Sequence, residues 1–151
     1  MRCMPNTSRF QRISASGSPD GVGFREAAFT TVGAIAMHGA RNANVAVGEN
    51  VAVIGLGLIG LLTVQILKAA GCRVIGIDID PPEKLALAAD LGADVVSNYD
   101  GLFERVRAFS PFGGADAVII TAATKSSAPI EPPAAWSGTG GAGSWSSGTS
   151  A

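Results

Sequence analysis

The chain has 151 residues, 47% of them hydrophobic and 15% charged, with a formal net charge of −1. That length and composition suit one domain with a buried core and exclude a polar disordered chain. The balance of 11 basic and 12 acidic residues excludes the basic field that nucleic acid or an anionic membrane surface would select, so neither is expected as a partner.

Residues 1–18 carry Arg2, Arg9 and Arg12 among serines, with no acid before Asp20. Such composition is that of an organelle transit peptide, but Pro5, Gly17 and the missing apolar stripe argue against an amphipathic helix. A disordered tail is expected over 1–18, followed by a turn over Pro19–Gly23. From Phe24 to Arg41 the spacing predicts a helix, with Ala27, Thr31, Ala34, Ile35 and His38 at helical intervals. Gly33 and Gly39 each weaken it by about 1 kcal/mol, so packing must hold it. His38 is expected at the surface or as a cap near the helix end.

Val51 to Asp80, VAVIGLGLIGLLTVQILKAAGCRVIGIDID, organises the rest. Its pattern is strand, tight turn, helix, turn, strand. Gly55 permits the sharp exit from the first strand, Gly57 lets backbone amides approach a pyrophosphate, and Gly60 lets the helix pack close on the sheet. The phosphates of a dinucleotide would sit on the N–H groups at the positive end of the helix. Asp78 follows about twenty residues later at the end of the second strand, where its carboxylate can accept hydrogen bonds from ribose hydroxyls. The rival readings are ordinary loop glycines and a membrane span. The coincidence of glycine spacing, strands and terminal acid disfavours the first. Against a span over Val51–Ala70 stand three glycines in its first half and Lys68 without a compensating anchor.

Asp80-Pro81-Pro82-Glu83 reads as a helix start with an aspartate N-cap and proline in the first turn. Leu85, Ala88, Ala89 and Leu91 form its inner face, Gly92 ends it, and Val95 and Val96 open a third strand. Asp100–Phe109 is a further short helix with Phe103, Val106 and Phe109 on its apolar side. Ala117–Ala123 is continuously apolar, as a strand buried on both faces of a parallel sheet must be. Right-handed crossovers then give a Rossmann-like, doubly wound parallel α/β sheet of order 3-2-1-4, truncated before strands 5 and 6. The domain is expected over 19–131. Residues 132–151 are Gly/Ser-rich and read as a disordered tail.

Cys3 and Cys72 are the only cysteines, with no secretory pattern before them, which points to a reducing cytoplasm. With His38 they match no zinc spacing, so no metal site is expected in this chain.

The segments EAAFTTVGAIAMHGAR, GENVAVIGLGLIGLLTVQILKAAGCRVIGIDID, EKLALAADLGAD and GADAVIITAA resemble the coenzyme domain of the medium-chain dehydrogenase/reductase family, the zinc-type alcohol dehydrogenases. The likeness is strongest to zinc-binding and bi-domain oxidoreductases and covers roughly three quarters of the chain, from about Pro19 to Ile130. It implies that Gly55, Leu56, Gly57, Leu58, Ile59 and Gly60 hold a pyrophosphate. Asp78, with Ile79 beside it, would hold the adenosine ribose, Lys84 would flank that ribose, and Thr121 and Ala122 would lie near the nicotinamide. Asp78, reinforced by Asp80, repels a 2′-phosphate, so NAD is expected over NADP.

The resemblance also implies an NAD(P)-dependent oxidoreductase acting on an alcohol or carbonyl substrate. The family's catalytic zinc and proton relay come mainly from an N-terminal domain that nothing here matches, and its third zinc ligand aligns with Thr30. This chain alone is therefore expected to be inactive, its substrate held by a missing domain. A non-catalytic dinucleotide-binding module and a nonfunctional gene fragment are the alternatives. The abrupt loss of pattern near residues 18 and 132 suggests shifts of reading frame there, for which homologous sequence in another frame of the locus is the test. Strand four would then be an exposed edge, favouring poor solubility and self-association.

Overall fold

The computed structural model describes residues 17–79, 82–98, 102–110, 114–122 and 145–147. In chain order the helices and strands are α1 (Phe24–Ala27), α2 (Thr30–Asn42), β1 (Asn50–Ile54), α3 (Leu58–Ala69) and β2 (Arg73–Ile77). Then come α4 (Pro82–Asp90), β3 (Val95–Ser97), α5 (Leu102–Phe109), β4 (Ala117–Ile120) and β5 (Trp145–Ser147). The strands form one parallel sheet, β3-β2-β1-β4-β5, which contains the expected 3-2-1-4 order. No helix among the described residues is long and apolar enough to cross a membrane.

β1 sits between β2 and β4, with Ile54 opposite both Ile77 and Ile120. Its residues are all buried, and alternate ones serve opposite faces. Val51 and Val53 join Val74, Val64, Leu67, Ala88 and Ile119 in one core under α2, α3 and α4. Ala52 and Ile54 join Ile75, Ile77, Val118 and Ile120 in a second core, closed by Val106 and Phe109 of α5. Because each strand is apolar on both sides, helices must cover both, which is the physical content of a doubly wound sheet. Helices α3 and α4 end alike. Cys72 N–H bonds to the Leu67 carbonyl and Ala93 N–H to that of Ala88, closing Schellman-type turns at Gly71 and Gly92.

The first helix departs from expectation in two ways. It is broken at residues 28–29, where the Thr30 hydroxyl donates to the Ala27 carbonyl at 2.7 Å. α1 buries no residue, so nothing packs to hold a single continuous helix. The buried face of α2 is Ala36 and Ala40, with Ala43 just beyond, whereas Thr31, Ala34, Ile35 and His38 are not buried. α2 packs on α3, and the positions it buries hold small side chains, while Ile35 is 52% exposed. On α4, Ala88 is buried and Leu85 packs against the core, but Ala89 is exposed. The apolar side of α5 is as expected at Val106 and Phe109. The expected caps Asp80 and Pro81 lie outside the described residues.

The open outer edge expected for the fourth strand is not found along Val118–Ile120. There Trp145, Ser146 and Ser147 pair with it in parallel, so the premise for self-association through that edge is corrected over this stretch. A Gly/Ser-rich sequence has no apolar period to announce a strand, but a row of unpaired backbone groups accepts any extended segment.

At the amino ends of the strands, Asp116 Oδ2 accepts from Asn50 N–H at 2.8 Å and from its side-chain amide at 3.1 Å. Arg73 donates to Asn50 Oδ1 at 3.1 Å while its guanidinium lies 4.4 Å from the centre of the Phe109 ring. Beside them, Lys68 of α3 bonds both Asp94 oxygens, at 2.8 and 2.7 Å, and Asp94 Oδ2 also accepts from Val74 N–H at 2.7 Å. Burial pushes the Asp94 carboxyl up, but the Lys68 hydrogen bond, the Val74 amide and the charges of Lys68 and Arg73 outweigh it and hold the group below its ordinary value.

A depressed carboxyl stabilises the fold fully above the ordinary carboxylate range near about 4 and loses that effect as the pH falls through its lower folded value. Urea unfolding of the wild type and Asp94→Asn should therefore show the wild type more stable at neutral pH, with the difference vanishing in acid. A gap that persists unchanged below about pH 2 would contradict this assignment.

Candidate functional site

The carboxyl ends of β1, β2 and β4 meet at the N-terminus of α3. Gly55 leaves β1 with φ +94°, in the left-handed region, and a Cβ there would lie 2.6 Å from the Ala122 nitrogen. A Cβ on Gly60 would overlap the Gly55 carbonyl oxygen, and would also come within 2.8 Å of Thr121 Oγ1. Helix, first strand and fourth strand therefore touch through backbone at these two glycines. Gly57 differs: an added Cβ would meet nothing within 4 Å, and its φ of −73° is ordinary.

Gly57 is the N-cap of α3 and makes no side-chain cap, and it and Leu58 are exposed. Helix geometry leaves the first-turn N–H groups without intrahelical acceptors, so this end presents donors and positive potential to solvent. Leu56 is anchored differently. Its side chain is fully buried, 3.2 Å from where a Cβ on Gly76 would be.

Asp78 lies just past β2 and is 7% exposed. Its Oδ2 accepts from Leu56 N–H at 2.6 Å, which sets the carboxylate directly beside the glycine loop. Thr121, just past β4, donates its hydroxyl to the Gly55 carbonyl at 2.6 Å, with the Ile54 carbonyl at 3.2 Å. Its N–H also bonds Ile54 O at 2.8 Å. The structure thus brings together Gly55, Leu56, Gly57, Leu58, Gly60, Asp78, Thr121 and Ala122. Ile59 stands in the first turn of α3, Ile79 is 77% exposed beside Asp78, and Lys84 lies in the first turn of α4. The Leu56 amide and the Gly55 carbonyl as bonding partners were invisible in the sequence, because glycine spacing says where a chain turns and not what its peptides bond to.

The remaining singled-out groups do not join this site. His38 is exposed, its Nε2 3.2 Å from Asn42 Nδ2. Cys72 is buried, and burial and the Glu49 charge push its thiol up, against the opposing charge of Lys68. The Thr30 hydroxyl is turned to Ala27. No three His, Cys, Asp or Glu side chains converge among the described residues, so those residues do not fit a zinc centre. They do fit a dinucleotide's diphosphate and ribose, with an open uncapped helix N-terminus and a carboxylate on the adjoining strand.

Fold and site together define a Rossmann-like α/β domain. Residues 59–129 match the family model described as zinc-binding dehydrogenase. An alcohol dehydrogenase of Geobacillus stearothermophilus is 37% identical over 115 residues, covering 71% of this chain and 32% of that protein. Among solved structures, the alcohol dehydrogenase of Thermus sp. ATN1 superposes with a TM-score of 0.73 at 28% identity, covering 84% of this chain and 38% of the other. The quinone oxidoreductase of Thermus thermophilus, known also as its NADPH complex, gives 0.62 at 32% identity over 74% of this chain and 37% of the other. Over residues 59–129 the chain is thus similar to the medium-chain, zinc-binding dehydrogenases, and the relatives it matches are alcohol dehydrogenases and other oxidoreductases. It spans about a third of the length of the curated relatives it matches.

The two contrasting glycines predict separable effects. Gly60→Ala should lower stability by about 1–3 kcal/mol, since backbone must shift. Gly57→Ala should cost less than about 1 kcal/mol, because its Cβ enters open space. Denaturant titration of both variants checks this; equal losses would refute the close approach at Gly60.

Proposed function

We propose that residues 19–131 are the dinucleotide-binding domain of an alcohol dehydrogenase-like oxidoreductase. The observation that carries this reading is the Asp78 carboxylate bonded to the Leu56 amide beside an uncapped, solvent-open start of α3. The first-turn N–H groups from Leu58 to Gly60 would hold the diphosphate, and the bare Cα of Gly57 would let it approach. A carboxylate has about four acceptor sites, so Asp78 can receive a ribose hydroxyl while bonded to Leu56. Its charge opposes a 2′-phosphate, which favours NAD over NADP.

When bound, the nicotinamide ring supplies the chemistry, accepting or giving a hydride at a substrate carbon. What this chain's residues supply is position. Gly55, Leu56 and Gly60 fix the cradle, and the end of β4 would carry Thr121 and Ala122 toward the side where that ring would lie. The alcohol or carbonyl substrate and the groups that hold it belong, on this reading, to a further domain.

Thermal unfolding with NAD+, NADP+ and ADP-ribose tests the proposal. A ligand at 100 times its Kd stabilises the fold by about 2.7 kcal/mol, so NAD+ and ADP-ribose should raise the midpoint more than NADP+. Asp78→Ala should weaken NAD+ at least about tenfold. If none of the three ligands moves the midpoint, the reading fails. Binding without hydride transfer, even beside a supplied substrate domain, would favour a non-catalytic module.

A further inference from the structure

The Gly55–Leu56 peptide is held from both sides of β1. Its carbonyl accepts the Thr121 hydroxyl from the β4 side, and its N–H donates to Asp78 from the β2 side. A trans peptide points these two groups in opposite directions, so strands on either flank can reach both. Gly60 closes the space behind the carbonyl, leaving it wedged between helix and hydroxyl. At φ +94°, Gly55 has no side chain of its own to stop this peptide from rotating.

From this we infer that Thr121 is a positioning residue of the dinucleotide site, its hydroxyl setting the plane of the Gly55–Leu56 peptide and, through Leu56 N–H, the orientation of Asp78. The inference rests on the dinucleotide reading above. It gives the Thr121 side chain a task distinct from touching the nicotinamide, since its single proton is committed to the Gly55 carbonyl. Without the hydroxyl, that part-buried carbonyl loses its closest donor and the peptide can turn. The amide would then leave Asp78, and the seat for diphosphate and ribose would lose its shape while β1 itself stayed paired.

The full chain with Thr121→Val and Thr121→Ser, titrated with ADP-ribose, tests this. Valine keeps the volume and β-branching but removes the donor, and should weaken ADP-ribose about tenfold, the effect of one well-placed hydrogen bond. Serine should restore affinity to within about threefold, since it returns only the hydroxyl. Amide hydrogen exchange should quicken at Leu56 in Thr121→Val and stay unchanged at Val53 within β1. Should Thr121→Val fail to fold, Thr121→Ala against Thr121→Ser makes the same comparison.

Wild-type affinity in Thr121→Val, failure of serine to rescue, or equal loss of protection at Leu56 and Val53 would each overturn the assignment and leave the dinucleotide reading standing. Absence of ADP-ribose binding by the wild type would overturn both.

Discussion

One peptide group governs this end of the molecule. The Gly55–Leu56 unit must turn the chain out of a fully buried strand, start a helix and leave that helix's first N–H groups facing outward. It can do so because each of its polar atoms is bonded to a side chain just past a different neighbouring strand and the Leu56 side chain is sunk in the core. A buried donor or acceptor left unbonded costs about 1–3 kcal/mol, so satisfying both from fixed strands defines one orientation strongly. The rest of the site follows from that orientation.

The same constraint explains why glycine is needed twice for different reasons. At Gly55 it is the backbone conformation, together with the adjacent Ala122, that excludes a side chain. At Gly60 it is distance alone, because the helix passes against the Gly55 carbonyl. Gly57 satisfies neither condition, and its need is visible only if something is to approach from solvent. A structure in which the fold requires two glycines and tolerates a side chain at the third has separated what packing demands from what binding would demand.

The strand–helix–strand unit and its terminal acid were legible in the sequence because period, glycine spacing and charge all agree there. The exits of α3 and α4 at Gly71 and Gly92 were legible for the same reason. The face of α2 was not. Hydrophobicity favours Ile35, yet the residues that α2 buries are Ala36 and Ala40, and which side of a helix meets its neighbour is a tertiary quantity. Nor could the sequence show the hydroxyl of Thr121 turned back to Gly55, since that bond joins residues 66 positions apart. β5 was hidden because the Gly/Ser-rich sequence around Trp145, Ser146 and Ser147 has no apolar alternation, and their pairing with β4 joins residues far apart in the chain.

The network of Asp116, Asn50 and Arg73 lies at the far end of the strands from the glycine turn, four residues or about 13 Å along β1. Its bonds tie β1 to β4 on one side and to β2 on the other, so slippage of either neighbour by one residue would break them. Parallel strands carry such a registry along their length like teeth on a rack. The register that seats Asn50 against Arg73 at this rim is the one that sets Ile54 against Ile77 and Ile120 beside the turn, so both ends of the sheet share a single alignment.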